Sequence, residues 1–302
     1  MGAETTIEWC DKTFNPWAGC TKISPACDHC YAESWATRFG MVEWGGERKR
    51  TSAANWNLPL KWDREAGETK TRPRVFCASL ADVFDNTVPP EWRRDLFSLI
   101  DMCRNLDWLL LTKRIGNARD MLNTCTLGFW DMSPWKHVWL GATICNQDEA
   151  DRDIPKLLAV PAALHFVSIE PMLGPIDLGL MCVNWSDDIP MDPETGIQEC
   201  CRSCDYTGLG NDIDWVISGG ESGPAARHSH PDWFRSLRDQ CAEAGVPYLH
   251  KQNGEWVSVS VVEGRGRHYT FPDSATVRRV GKRLAGRAID GVVHDGFPAL
   301  PA

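Results

Sequence analysis

Three cysteines share one short stretch, Cys20-Thr-Lys-Ile-Ser-Pro-Ala-Cys27-Asp-His-Cys30, spaced C-x6-C-x2-C. Thiolates this close in a loop can hold three irons of a four-iron cluster and leave the fourth iron open for a substrate or cofactor. Zinc is the competing ion; its tetrahedral sites take four ligands, and His29 or Cys10 could supply the fourth. A second group comprises Cys182, Cys200, Cys201 and Cys204. Cys201-x2-Cys204 is half of a zinc knuckle, and Cys182 with Cys200 would complete four ligands; a second iron–sulfur cluster is the alternative. Cys77, Cys103, Cys125, Cys145 and Cys241 fall in apolar strand or helix patterns and read as small core hydrophobes. The total of thirteen is odd, and the opening residues MGAETTIEWCDKTF carry no basic-then-apolar leader. Metal ligation or catalysis is therefore expected rather than a disulfide framework, in a cytoplasmic protein.

Such residues need elements to position them. Short apolar runs at Val75–Ala78, Trp108–Leu111, Val138–Ala142, His165–Ile169, Trp215–Ser218 and Val246–Leu249 read as strands buried on both faces. Between them lie helical patterns. After Pro90 the positions Trp92, Leu96, Leu99, Ile100 and Cys103 share one face; after Pro231, Phe234, Leu237, Cys241 and Ala244 do the same, and Gly245 supplies the stop. Strands alternating with helices imply βαβ units and a parallel sheet. With one more strand near the first cysteines, the expected fold is α/β, a partial or complete (β/α) barrel, with a doubly wound open sheet as the alternative.

In a barrel the loops at the C-terminal strand ends build the active site. Here those ends read Ser79-Leu-Ala-Asp82, Thr112-Lys113-Arg114, Thr143, Glu170-Pro171-Met172, Gly219-Gly220-Glu221-Ser222 and His250-Lys251-Gln252. Helix capping would account for Ser79 or Asp82 singly. It does not readily account for Lys113, Glu170, Glu221 and Lys251 together, so a polar cavity is expected. The Gly219–Gly223 run could cradle phosphate, but it is neither G-x-G-x-x-G nor a Walker loop.

The 302 residues are 43% hydrophobic and 24% charged, an ordinary globular composition that excludes disorder, collagen and coiled coil. No apolar run is long enough to span a membrane. The net charge of −9 is segregated. Residues 264–289 hold Arg265, Arg267, Arg278, Arg279, Lys282, Arg283 and Arg287 against Asp273 alone, whereas 181–214 hold eight acids against Arg202. Further basic residues, Arg48-Lys49-Arg50, Lys70, Arg72 and Arg74, interleave with Trp44, Trp56 and Trp62, and Tyr269 accompanies the basic tail. Such mixtures suit phosphate contacts and base stacking, the alternative being solvated loops with packed rings.

A cysteine loop after a first strand, with Cys30 followed by Tyr31-Ala32 and a helix, resembles the radical S-adenosylmethionine (SAM) superfamily. The commonest superfamily spacing is C-x3-C-x2-C; this chain has x6 in the first gap, and His29 where an aromatic ring often sits. Further motifs run in order: Phe14-Asn-Pro-Trp17-Ala-Gly-Cys20, Leu111-Thr-Lys-Arg114, Ser168-Ile-Glu170-Pro-Met-Leu, Gly219-Gly-Glu-Ser-Gly223, His250-Lys-Gln-Asn-Gly-Glu-Trp256 and Val280-Gly-Lys-Arg-Leu-Ala-Gly-Arg-Ala-Ile-Asp290. Over almost the whole chain these resemble a radical-SAM-like phage and prophage family of unknown function with a three-cysteine motif. The resemblance implies a four-iron, four-sulfur cluster on Cys20, Cys27 and Cys30, with SAM chelated at the open iron. Gly219-Gly220-Glu221 is like the superfamily's Gly-Gly-Glu element, although here it follows a late strand. Ser79 or Asp82 is better placed to meet the SAM amino group, and Lys113 or Arg114 to meet its carboxylate; Glu170, Glu221 and Lys251 then fall nearer the substrate. The implied organisation is a barrel over 1–256 with an acidic, cysteine-bearing insertion at 179–213, then a basic extension over 257–302. The implied function is a radical enzyme that modifies or repairs nucleic acid and takes electrons from a donor. The alternative is a zinc or iron–sulfur module that docks nucleic acid or a protein without catalysis.

Overall fold

The computed structural model describes residues 5, 7–180 and 213–299. Cys182, Cys200, Cys201 and Cys204, with their expected zinc, lie outside the described residues. The chain divides into two compact units, one from Met1–Ile144 with Lys156–Ser168 and one from Cys145–Pro155 with Ile169–Leu300.

The first unit is built on β1 (Lys12–Thr13), β2 (Arg74–Cys77), β3 (Asp107–Thr112), β4 (Val138–Thr143) and β5 (Leu164–Ile169). All pair in parallel in chain order, with Lys12 opposite Val75, Val75 opposite Trp108, Leu110 opposite Leu140 and Ala142 opposite Val167. Every residue of β4 and nearly every residue of β2, β3 and β5 is buried, as expected for strands covered on both faces. The helices of this unit are α1 (Tyr31–Arg38), α2 (Leu58–Thr69), α3 (Pro90–Met102) and α4 (Ala118–Cys125), while α5 (Gln147–Leu158) falls for the most part in the second unit. Helix α3 opens on Pro90, where a missing N–H costs nothing, and buries Leu96, Phe97, Leu99 and Ile100. Trp92, expected on that face, is only half-buried, while Arg93 is buried and donates to the carbonyls of Val83 and Asp85 at 2.9 and 2.7 Å.

The second unit carries β6 (Trp215–Gly219) and β7 (Tyr248–Gln252), parallel to each other and joined through α6 (Pro231–Ala244). The last sheet strand begins at Tyr248, not at Val246 as the apolar pattern suggested. The Val246 N–H closes the end of α6 onto the Cys241 carbonyl at 2.9 Å, and Pro247 has no N–H for a ladder. His250, Lys251 and Gln252 are consequently part of the strand rather than of a loop beyond it. A small antiparallel sheet follows: β8 (Trp256–Ser258), β9 (His268–Thr270) and β10 (Thr276–Arg279), in the order β8-β10-β9. Trp256, Phe271, Val277 and Ala226 form its own small core.

The fold is thus α/β, with a seven-stranded parallel sheet of the partial (β/α)-barrel kind. Among the described residues no helix is long and apolar enough to cross a membrane.

Candidate functional site

The cysteine stretch leaves the C-terminal side of β1. Gly19 donates to the Leu80 carbonyl at 3.1 Å, so the chain runs beside the segment after β2 until Cys20. Ser24 then caps a short 3-10 turn, its hydroxyl accepting from the Ala26 N–H at 3.0 Å, and Cys27 ends that turn. Cys30 is the residue before α1, whose Ala32 packs in a small cluster with Ala18 and Leu80. Cys27 is buried, and Cys20 and Cys30 are half-buried. The thiols stand apart: among the described residues the one trio whose ligand atoms converge within 4.8 Å is His230, Asp232 and Asp273.

Two arginines tie this stretch to the ends of β2 and β3. Arg114 donates from Nη1 to Cys20 Sγ at 3.4 Å and from Nη2 to the Thr21 carbonyl at 2.9 Å. The same guanidinium lies 3.5 Å from Asp82 and 3.9 Å from Asp85. Arg48 pairs with Asp85 at 2.6 Å and donates to Thr21 Oγ1 and the Gly46 carbonyl at 2.7 and 2.6 Å. Burial pushes the Cys20 thiol above its ordinary value, Asp82 adds to this, and the Arg114 charge and hydrogen bond oppose it.

Asp82 is occupied on both oxygens. It accepts from Thr112 Oγ1 at 2.7 Å, the Phe84 N–H at 2.9 Å and the Lys113 N–H at 3.1 Å, stapling the loop after β2 to the end of β3. Ser79 is held by the Asn15 side chain at 3.0 Å, and its carbonyl accepts from Tyr31 Oη at 2.8 Å. The Lys113 ammonium is half-buried and has no carboxylate within ion-pair reach among the described residues. The first unit therefore brings Cys20, Ser79, Asp82, Lys113 and Arg114 to one edge of its sheet.

Of the basic residues expected to meet phosphates near the N-terminus, the four arginines are engaged within the protein. Arg48 is buried on Asp85; Arg50 pairs with Asp95 at 2.6 Å and lies 4.1 Å over the Trp56 ring. Arg72 pairs with Asp107 at 2.6 Å, and Arg74 with Asp11 at 3.0 Å. Trp62 is buried, and Trp44 packs against the Ala18–Leu80 cluster. Each of these four arginines is matched by an acid from a distant part of the sequence, a match the one-dimensional pattern hides, whereas Lys49 and Lys70 are exposed.

In the second unit Glu170 accepts from Lys251 Nζ at 2.9 Å and from Gln252 Nε2 at 2.6 Å. The Gln252 Oε1 is buried without a hydrogen-bond partner. Gly219 packs against Glu170, where a Cβ would lie 3.2 Å from its carboxyl carbon. Gly220 sits on the Asn253 backbone: a Cβ there would come within 2.2 Å of the Asn253 carbonyl oxygen, so two chain segments meet at a distance only glycine permits. Glu221 is buried and held by Arg227 through both oxygens, with distances of 2.6 and 2.9 Å from the guanidinium. Deeper, His250 lies between Ser218 Oγ at 2.9 Å and Asn253 Oδ1 at 3.1 Å, and burial lowers its pKa to about 4. Asp85, Arg93 and Arg227 escaped the sequence reading, and Arg48 was read as a phosphate contact although it is one half of a buried ion pair.

The model of a family described as protein of unknown function, DUF5131, matches residues 4–298. The chain belongs to the DUF5131 family. No curated protein matches it. Among solved structures it resembles a double mutant of spore photoproduct lyase with bound AdoMet and dinucleoside spore photoproduct, at 12% identity and TM-score 0.40, over 89% of this chain and 68% of that one. A single mutant of the same lyase matches at 11% identity and TM-score 0.42, over 92% and 71%. A likeness this loose assigns no residue of the DUF5131 chain a role.

Proposed function

We propose that this DUF5131 protein is an iron–sulfur, SAM-dependent radical enzyme of the cytoplasm that modifies or repairs nucleic acid, using an external one-electron donor. The observation that carries the reading is the cysteine stretch at the strand ends, with the Arg114 guanidinium donating to Cys20 Sγ. The donor set suits a cluster by its chemistry: three thiols in one short stretch, Cys27 buried and Cys20 and Cys30 half-buried.

Cys20, Cys27 and Cys30 would hold the cluster. When bound, it supplies one-electron reductive cleavage of SAM and, through that, hydrogen-atom abstraction from a substrate. Arg114 offers its N–H to Cys20 and so favours the ligating thiolate against burial. Lys113, with no acid partner among the described residues, is the cation to meet the SAM carboxylate, and Ser79, locked by Asn15, the hydroxyl to meet its amino group. Asp82 acts through Lys113 and Arg114, since its oxygens are already taken. In the second unit Glu170 and Lys251, a half-buried ion pair, are the groups to handle substrate protons, with Glu221 held ready by Arg227.

The deciding experiment is iron and sulfide content with visible absorption on anaerobically purified protein, then reduction in the presence of SAM. About four irons per chain and formation of 5′-deoxyadenosine are expected, both lost in Cys27→Ala. Tightly held zinc with no iron uptake at these cysteines would end the proposal and leave a metal-stapled module that docks nucleic acid or protein.

A further inference from the structure

The small antiparallel sheet of the second unit has no part in the chemistry above. Its edge strand β9 is exposed at all three residues, and in sheet order it has a neighbour on one side only. Arg265 and Arg267, which lead into β9, are exposed, as are Lys282 and Arg283 in the short helix that packs on β8, and among the described residues none of the four has a carboxylate within ion-pair reach. Neighbouring arginines differ: Arg287 is matched by Asp295, and Arg235 and Arg238 by Asp290.

The cations are placed by the backbone. The run Gly264-Arg-Gly-Arg267 crosses close over β10: the Arg279 N–H donates to the Arg267 carbonyl at 2.8 Å. A Cβ on Gly266 would lie 2.5 Å from the Arg279 carbonyl oxygen. Arg278, opposite His268 in the ladder, donates to its Nε2 at 2.9 Å and keeps a further cation beside the edge. At the rim Tyr269 stacks on His228 with ring centroids 3.4 Å apart, meets Phe271 edge-on at 4.9 Å, and is still 38% exposed.

A chain of net charge −9 whose small sheet carries an exposed aromatic ring and four exposed cations, unmatched among the described residues, builds an attractive patch for a polyanion with stacking faces. We propose that this sheet grips single-stranded nucleic acid, its phosphates on Arg265, Arg267, Lys282 and Arg283 and a base against the Tyr269 rim. The proposal rests on the reading of the substrate as nucleic acid and names the surface that would hold it.

The test is fluorescence anisotropy of the full chain with labelled single strands of about 12 nucleotides, DNA and RNA, across salt from about 50 to 200 mM. Each phosphate contact contributes about 0.7 to the log–log salt slope for single strands. Replacing Arg265, Arg267, Lys282 and Arg283 together by Gln should therefore flatten the slope by about 3, while replacing the three arginines by Lys keeps it. Tyr269→Ser should weaken binding about fivefold or more, and Tyr269→Phe should not. Absence of binding, an unchanged slope in the Gln variant, or equally tight binding of duplex or of anionic vesicles would overturn the proposal. SAM cleavage without substrate, measured in parallel, separates the two readings: binding without cleavage removes the enzyme and keeps the surface, and the reverse removes the surface alone.

Discussion

Arg48 belongs to a basic run that the sequence offers to phosphates, yet its side chain is 1% exposed and that of Asp85 3%. Replacing it by Met keeps the stem and removes four contacts: two to Asp85 at 2.6 and 2.7 Å, one to Thr21 Oγ1 and one to the Gly46 carbonyl. Breaking one side of a buried pair costs about 3–5 kcal/mol, because the remaining charge is left desolvated. Asp85 keeps Arg114 at 3.9 Å and the Thr87 N–H at 3.0 Å, which places the expected loss near the lower end, about 3 kcal/mol. For a chain this size that is a fall of roughly 6–12 °C in Tm, read by thermal unfolding at pH 7. Arg48→Met with Asp85→Asn should lose less than the two single losses added together, since the partners share one interaction. The cysteine stretch should loosen with it, because Thr21 follows Cys20, and anaerobic iron uptake should fall. A phosphate-binding Arg48 would behave oppositely. Stability would then change by less than about 0.5 kcal/mol and the nucleic-acid salt slope by about 0.7, and that outcome refutes the structural assignment.

Two further outcomes follow from the second unit. Gly220→Ala places a Cβ 2.2 Å from the Asn253 carbonyl oxygen and should cost about 3 kcal/mol or more; Gly174→Ala, with its nearest neighbour at 3.8 Å, should lie within about 0.5 kcal/mol of wild type. Equal melting temperatures for the two would contradict the close approach. His250 has its pKa lowered from 6.5 to about 4 by burial. Between those values the unfolded chain takes up a proton that the folded chain refuses, so stability falls as pH drops from about 6.5 to 4, by up to about 1.4 kcal/mol per unit. Urea midpoints measured across that window should show the slope, and His250→Gln should flatten it.

Much of the frame was legible because short apolar strands and proline-led helices follow local rules. Val138–Thr143 and Trp108–Leu110 are buried on both faces as their apolar runs required, and Pro231 and Gly245 bound α6 as start and stop. The misplaced last strand shows where that reading gives out. A proline and a helix-closing N–H moved it, and the polar His250, Lys251 and Gln252 found partners that made them strand residues.

Spacing alone made Cys20, Cys27 and Cys30 candidate ligands, and the order of elements alone put polar residues at strand ends, because both depend on neighbours along the chain. What the cations do depends on neighbours in space. Arg48 and Arg265 sit in similar basic runs, but folding brings Asp85 to the first and, among the described residues, no acid to the second. The same holds for Asp82 and Lys113, where three donors claim the carboxylate and the ammonium has no acid partner among the described residues. A charge is spent or available according to what lies within a few ångströms of it, and that is decided only when distant segments pack together.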